Sequence, residues 1–221
     1  VNGVLRAFDA QVVSDSPLPQ QVGTTLTDGF FLIQTDSIGA VVGEIAWAGA
    51  EITTIGPEAG VALIGAGSTI RNSLDNSDAL VGLSESQGFF SLRLQDHAFV
   101  GDFSSSGEME LFEGVTMNFP GNSQFTNSGR LEVFGDAEVV GADVRFLSSS
   151  ELLFEDSFSE ISFELEMGKI IADDVALDGE LIVYLDLLEP NATDQYVIID
   201  AMNLTGVFDN VVSGERIDTL D

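Results

Sequence analysis

The 221-residue sequence contains no cysteine, a single histidine and a single tryptophan, and only seven basic residues. Without cysteine there is no disulfide framework and no thiolate chemistry, although secretion stays open. One histidine is too few for a zinc site built on several imidazoles. No apolar run approaches the roughly 20 residues that a membrane-spanning helix needs.

The charge is strongly one-sided, with 37 acidic residues and a formal net charge of −30. Such a surface repels nucleic acid and anionic membranes, which require lysine and arginine to replace their counterions. Lys169 is the only lysine. Two interpretations stay open: adaptation to high salt or to a calcium-rich exterior, and a surface that simply resists aggregation. Because the sequence begins at Val1 rather than methionine, we expect a processed leader or a fragment.

One short pattern recurs along the chain, as in "TNSGRLEVFGDAEVV" (126–140) and "SSSGEMELFEGVTM" (104–117). A turn residue and a glycine are followed by apolar residues two and four positions after the glycine. The pattern occurs seven times, with serine replacing glycine once, at Gly29, Gly60, Gly88, Gly107, Gly129, Ser150 and Gly179. Glycine suits a sharp corner, and the alternation turns one side of a strand inward.

The spacing of these copies, about 20 to 30 residues, predicts an all-β fold, a parallel right-handed β-helix or solenoid with irregular coils. The alternative is an antiparallel β-sandwich, which also has short alternating strands between turns. In either fold the pattern places Leu131 and Val133 inside, with Glu132 outside. The aromatic residues on inward positions are Phe31, Phe90, Phe154 and Phe163, and this placement favours core packing over sugar stacking.

We divide the chain into an N-terminal strand segment (1–21), the solenoid coils (22–178) and the C-terminal β coils (179–221). The last of these contains "GELIVYLDLLEPNATDQYVIIDAMNLTGVFDNV" (179–211). This stretch resembles the final coils of secreted bacterial β-helical surface proteins, such as autotransporter passenger domains and related surface-sorted proteins. The matching pieces are "GEL" (179–181), "DQYVII" (194–199) and "LTGVF" (204–208). The resemblance implies the fold and an extracellular or cell-surface location, but no particular activity.

No catalytic constellation stands out. Asp173 and Asp174 are the only adjacent aspartate pair, and neighbours on a strand are expected to point to opposite faces. Arg93 and His97 are the nearest approach to the basic cluster of a polysaccharide lyase, but Arg93 is expected outside and His97 on the surface. We therefore expect no catalytic residues.

Metal binding is a stronger hypothesis than catalysis. "SLDNSDAL" (73–80) offers Asp75, Asn76 and Asp78 as hard oxygen ligands of the kind calcium prefers, although the spacing of an EF-hand is missing. The alternative is a solvated polar turn. We predict Ca²⁺ as the one candidate cofactor. The sequence also carries glycan acceptor patterns at Asn191 and Asn203.

These observations favour a non-catalytic extracellular structural or adhesive protein, part of a surface layer, a stalk or a head-to-tail filament. The expected partners are other copies of the chain and surface glycans, with neither nucleic-acid binding nor membrane insertion. The alternative is a polysaccharide-active enzyme or a carbohydrate-binding β-helix.

Overall fold

The computed structural model describes residues 3–36, 42–158, 165–185 and 196–211. Within these ranges the chain is all-β, and no residue lies in a helix that is long and apolar enough to cross a membrane. The strands, in chain order, are β1 (Val4–Phe8), β2 (Gln11–Ser14), β3 (Gln21–Val22), β4 (Thr25–Leu26), β5 (Gly29–Gln34), β6 (Glu44–Trp47), β7 (Thr54–Ile55), β8 (Ala59–Ile64), β9 (Thr69–Asn72), β10 (Glu85–Ser86), β11 (Phe89–Arg93), β12 (His97–Ala98), β13 (Phe103–Ser105), β14 (Glu108–Leu111), β15 (Thr116–Asn127), β16 (Arg130–Phe134), β17 (Glu138–Phe146), β18 (Glu151–Glu155), β19 (Ser157–Phe158), β20 (Leu165–Glu166), β21 (Lys169–Leu177), β22 (Glu180–Tyr184) and β23 (Ile199–Gly206).

Most strands belong to three sheets. The eight-stranded sheet has the order β1-β5-β8-β11-β14-β16-β18-β22. The ten-stranded sheet has the order β23-β21-β17-β15-β13-β10-β7-β4-β3, with β12 also paired to β15. The three-stranded sheet has the order β2-β6-β9, and β19 and β20 form a separate pair.

In its first three rounds the chain visits these sheets in the same order. After β1 in the eight-stranded sheet it adds β2 to the three-stranded sheet and β4 to the ten-stranded sheet, and then returns to place β5 beside β1. From β10 onward it alternates between the eight-stranded sheet and the ten-stranded sheet, apart from the separate β19–β20 pair, and the pairing of β15 with β17 has a register shift between Phe119 and Gln124. Each return adds one strand beside the strand laid down before it.

The named strands pair in parallel, except for β3 with β4 and β19 with β20. The antiparallel sandwich considered from the sequence is therefore wrong. The reason is that strands visited in rotation all run in the same direction, and a parallel neighbour requires a long connection rather than a hairpin. The alternating strands and their inward faces are common to both folds, so the alternation could not separate them.

The recurring pattern forms the eight-stranded sheet. Residues at the first apolar position of successive copies lie side by side in the core, and so do residues at the second apolar position. Leu131 pairs with Met109 and Leu152, and Val133 pairs with Leu111 and Phe154. All six of these side chains are fully buried. The inward placement of Phe31, Phe90 and Phe154 is confirmed, while Phe163 lies outside the described residues.

The copy at Gly60 was predicted one residue out of register. Phe31 pairs with Val61 and Ile33 with Leu63, so Ala59 occupies the corner that glycine fills elsewhere. Gly60 is needed for another reason: a Cβ there would lie 2.5 Å from Cδ2 of Phe30. The glycine makes room on the outer face for the Phe30 and Phe89 rings, whose centroids are 5.5 Å apart. Strand β1, which follows Gly3, is an eighth strand of the same kind, with Ala7 beside Ile33, and the sequence pattern did not include it.

The buried apolar side chains form one continuous cluster that draws on all three sheets. Aromatic rings stack inside it, with Phe99 and Phe119 at 4.7 Å and Phe119 and Phe125 at 5.2 Å between centroids. Phe99 lies beside Phe119 because the parallel pairing of β12 with β15 brings equivalent positions side by side, whereas Phe119 and Phe125 belong to the same strand and meet across its register shift.

Candidate functional site

The predicted calcium ligands lie in the connection between β9 and β10. Asp75 Oδ1 accepts hydrogen bonds from the backbone N–H and the hydroxyl of Ser77, at 3.0 and 2.7 Å. Those bonds hold the pKa of the Asp75 carboxyl below its ordinary value. Asp78 Oδ1 accepts from the backbone N–H of Leu80 at 2.9 Å. Asn76 has a φ of 61° at the tip of the turn.

The same turn is held by Arg71, which donates from Nη1 to the carbonyl of Asn76 at 3.0 Å. One oxygen of each aspartate therefore already shapes the loop. Within the described part of the chain no three acidic, histidine or cysteine side chains lie close enough to hold a metal. Calcium at Asp75, Asn76 and Asp78 stays a prediction, and it would need further oxygen atoms from the backbone or from water.

The aspartate pair was predicted to split between two faces, and this is wrong. Asp173 and Asp174 are both exposed, between the buried residues Ala172 and Val175 of β21. The regular pairing is interrupted here: Ala172 pairs with Ala201 and Asp174 with Asn203, while Asp173 and Met202 between them are left out of the pairing on both strands. Asp174 Oδ1 accepts a hydrogen bond from Nδ2 of Asn203 at 2.9 Å. Asn203 is one of the two predicted glycan acceptors, and this bond engages its side-chain amide. Asn191 lies outside the described residues.

Arg93 and His97 are not brought together. Arg93 is exposed and its guanidinium lies 5.6 Å from the centroid of the Phe112 ring, as the outward prediction requires. His97 was predicted on the surface and is instead largely buried, with ring centroids 4.7 Å from Phe99 and 5.9 Å from Phe90. The reason is register, because His97 pairs with Met117, a fully buried position of β15.

The environment of His97 is unusual for a titratable group. Burial lowers the pKa of its imidazole below the ordinary 6.5, and the nearby Asp78 carboxylate opposes that shift. Its Nε2 atom is buried without a hydrogen-bond partner. A histidine packed against two phenylalanine rings, with a lowered pKa, resembles a packed core side chain more than an exposed surface group.

Carboxylates also crowd the outer face of the eight-stranded sheet. Glu110 pairs with Glu132 on the next strand, and burial, followed by the charges of Glu132 and Glu108, raises the pKa of Glu110. Glu132 is only 8% exposed although it points away from the core, and it forms an ion pair with Arg130. The sequence identified the outward direction of Glu132 but could not reveal how little of it solvent reaches.

A large groove among the described residues lies where the chain leaves the eight-stranded sheet and enters β15, β17, β21 and β23. It has a volume of about 800 Å³. A second groove of about 480 Å³ adjoins it, since both are bordered by Asp96 and Gly114. The first groove is lined by Asp96, Gly114, Val115, Thr116, Asp136, Glu138, Glu166, Met167, Lys169, Tyr196 and Val197.

Strand register arranges the floor of this groove. Thr116 pairs with Glu138, and Glu138 pairs with Lys169, so each strand contributes one polar side chain to a single row. His97, the first residue of β12, pairs with Met117. Asp96 and Thr116 come directly before these two residues, so Asp96 lies beside Thr116 and extends the row by one position. The residues that follow these positions, among them Met117, Val139 and Ile170, are fully buried, so the row itself faces outward.

Backbone hydrogen bonds fix two of the groove carboxylates. Asp96 Oδ1 accepts from the backbone N–H of Thr116 at 2.8 Å, and Asp136 Oδ1 accepts from that of Gly114 at 2.5 Å. Each bond links one strand connection to the connection beside it. These carboxylates therefore have defined positions before any ligand arrives.

Sequence reasoning missed this groove, although a signal was present. Thr116 follows Gly107 by nine residues, and Glu138 follows Gly129 by nine residues. Residues at a fixed distance from a repeated corner fall into one row. In the copy that begins at Ser150, the connection after β18 is longer, so Lys169 does not follow its corner by nine residues. The spacing therefore does not reveal that Lys169 belongs to the same row.

Comparisons with known proteins identify no relative: no family model, no curated protein and no solved structure matches this chain.

Proposed function

We propose that the chain is a parallel, right-handed β-helix that serves as a non-catalytic structural or adhesive protein at the cell surface. The support is that successive strands lie in parallel beside their predecessors, in three sheets over the first three rounds and in two sheets afterwards, around one cluster of buried apolar side chains. A strand laid beside its predecessor at each return is the arrangement that such a helix requires.

The observation that carries the assembly part of the proposal is the character of the outermost strands. Among the described residues, β1 pairs only with β5, and β23 only with β21. Both strands expose apolar side chains: Val4 and Phe8 on β1 are 54% and 47% exposed, and Met202 and Leu204 on β23 are 80% and 56% exposed. Strand edges of this kind recruit further strands.

Because all the strands stack in one direction, the β1 edge and the β23 edge are opposite ends of the same array. Contact between unlike ends is heterologous, and a heterologous contact that does not close generates a filament. The net charge of −30 opposes side-by-side association, since like-charged flanks repel each other. The proposed form is therefore a head-to-tail filament, stalk or layer element in an extracellular setting.

The test is the molar mass of the purified chain, measured by light scattering over a range of concentrations. We expect the mass to rise with concentration. The double variant Phe8→Lys with Met202→Lys should stay monomeric, because lysine on an edge strand blocks pairing. Leu74→Lys is the matched control, since Leu74 is 73% exposed but lies in the loop between β9 and β10 and on neither edge strand.

Two outcomes would contradict the proposal. One is a wild-type protein that stays monomeric at every concentration. The other is self-association that the edge variant and the loop variant weaken equally, because the contact would then lie elsewhere.

A further inference from the structure

We propose that the two adjoining grooves bind an extended, uncharged polysaccharide, with the main contacts at Asp96, Asp136, Glu138, Lys169 and Tyr196. This inference deepens the adhesive side of the proposed function by naming a ligand class. It concerns a lateral face and not the strand edges, so it stands or falls separately from head-to-tail assembly.

The first argument is the repeat distance of the groove floor. Adjacent strands lie about 4.8 Å apart, and the row Asp96, Thr116, Glu138 and Lys169 presents one polar side chain per strand. An extended β-linked polysaccharide advances by nearly the same distance per sugar ring. Each ring of a bound chain would therefore meet an equivalent position on the protein.

The second argument is the length of the site. From β12 through β15, β17 and β21 to β23 there are four steps between strands, a distance of about 19 Å. The adjoining groove lengthens the site beyond Asp96 toward Arg71 and Gln95. A site that crosses so many strands is elongated, and it suits a polymer better than a single small molecule.

The third argument is the chemistry of the lining. The first groove combines the four carboxylates Asp96, Asp136, Glu138 and Glu166 with the ammonium of Lys169 and the hydroxyl of Thr116. Carboxylates accept and ammonium donates hydrogen bonds, as the hydroxyl groups of a neutral sugar require. An acidic polysaccharide would instead meet these carboxylates and a net charge of −30.

One end of the groove supplies an apolar surface. Tyr196 and Val197 line it and are 41% and 60% exposed. Tyrosine offers a rigid ring with a polar tip, and such a ring stacks on the apolar face of a pyranose while its hydroxyl stays solvated. Asp96 and Asp136 are held in place by backbone N–H groups of neighbouring connections, which reduces the entropy lost on binding.

The experiment is affinity electrophoresis of the full chain through gels that contain β-glucan, xylan or mannan, with polygalacturonate and chitosan as charged comparisons. We expect retention by at least one of the three neutral polymers. Its oligosaccharides, measured by calorimetry, should bind more tightly with each added sugar up to about four or five rings and then level off, because the site spans four strand steps.

Two variants locate the site. Tyr196→Ala and Lys169→Met should each weaken binding of that oligosaccharide at least tenfold. Tyr184→Ala is the matched control, because Tyr184 is the other tyrosine of the chain and lies in the eight-stranded sheet, away from the groove. The fluorescence of Trp47, which is 1% exposed, reports that each variant is folded.

Retention by none of the neutral polymers would overturn the inference, and so would retention by a charged polymer alone. Equal loss of binding in the Tyr184 and Tyr196 variants would also overturn it. Since binding is measured on dilute protein and assembly by light scattering, either proposal can fail while the other holds.

Discussion

Replacing Gly107 with alanine should destabilise the protein by about 3 kcal/mol, a value that follows from the distance between neighbouring backbones at the repeated corner. A Cβ at position 107 would lie 1.9 Å from the carbonyl oxygen of Gly88 and 2.6 Å from the carbonyl carbon of Gln87. Real Cβ atoms essentially never approach closer than 3.0 Å, so the two corners must separate by about 1 Å.

That separation breaks a hydrogen bond between the strands. The backbone N–H of Glu108 donates to the carbonyl of Gly88 at 3.0 Å, and a further ~1 Å removes this bond. A buried hydrogen bond left unmade costs about 1–3 kcal/mol. Forcing backbone to move in a close-packed interior adds about 1–3 kcal/mol. A total of about 3 kcal/mol corresponds to a fall in Tm of about 6–12 °C for a chain of this size.

The assay is thermal and urea unfolding, followed by the fluorescence of the buried Trp47 and by circular dichroism. Gly101→Ala is the control, because a Cβ at Gly101 meets nothing within 4 Å and its φ is not in the left-handed region. That change should be neutral, or stabilising by about 0.4–1 kcal/mol through the unfolded chain. Equal unfolding free energies for the two alanine variants would refute the argument from backbone spacing.

Three further predictions concern charge. Burial lowers the pKa of His97 in the folded protein, so the unfolded chain takes up a proton on this histidine more readily. The contribution of His97 to the free energy of unfolding should therefore be complete above about pH 6.5 and should fall as the pH drops below that value. His97→Gln should remove this part of the pH dependence of urea unfolding, and unchanged dependence would contradict it. The pKa of Glu110 is raised, chiefly by burial, so ionisation above about pH 4.5 opposes folding. Glu110→Gln should therefore raise the unfolding free energy at pH 7 and leave it nearly unchanged at pH 4; equal effects at both values would count against this reasoning. If Asp75, Asn76 and Asp78 bind calcium, Ca²⁺ should raise the Tm more than Na⁺ at equal ionic strength, and Asp75→Asn should abolish the difference; identical melting curves in the two salts would remove the site.

The alternation of apolar residues along each strand was sufficient to predict which side chains face the core. The alternation after Gly107, Gly129 and Ser150 placed Leu131 and Val133 in the core, since side-chain direction in a strand depends only on position parity. The error at Gly60 has the same origin. A glycine at a corner and a glycine beneath two aromatic rings look alike in sequence, and only the pairing of Phe31 with Val61 distinguishes them.

The placement of the candidate site depended on contacts between distant parts of the chain. His97 was expected on the surface, whereas its pairing with Met117 places it against the core. Asp173 and Asp174 are both exposed because the pairing of β21 with β17 and with β23 is interrupted at Asp173. The two adjacent aspartates do not by themselves predict that interruption of the strand pairing.

Composition and short-range pattern are enough to show that this protein is all-β, strongly acidic, free of thiol chemistry, and built from a repeated corner and an alternating strand. Each of these follows from composition or from residues within a few positions of one another. Only the tertiary structure decided that the strands are parallel, and that Thr116, Glu138 and Lys169 lie in one row. The physical reason is that register between strands is set by which buried faces pack together, and the packing residues are 20 to 30 positions apart in the chain.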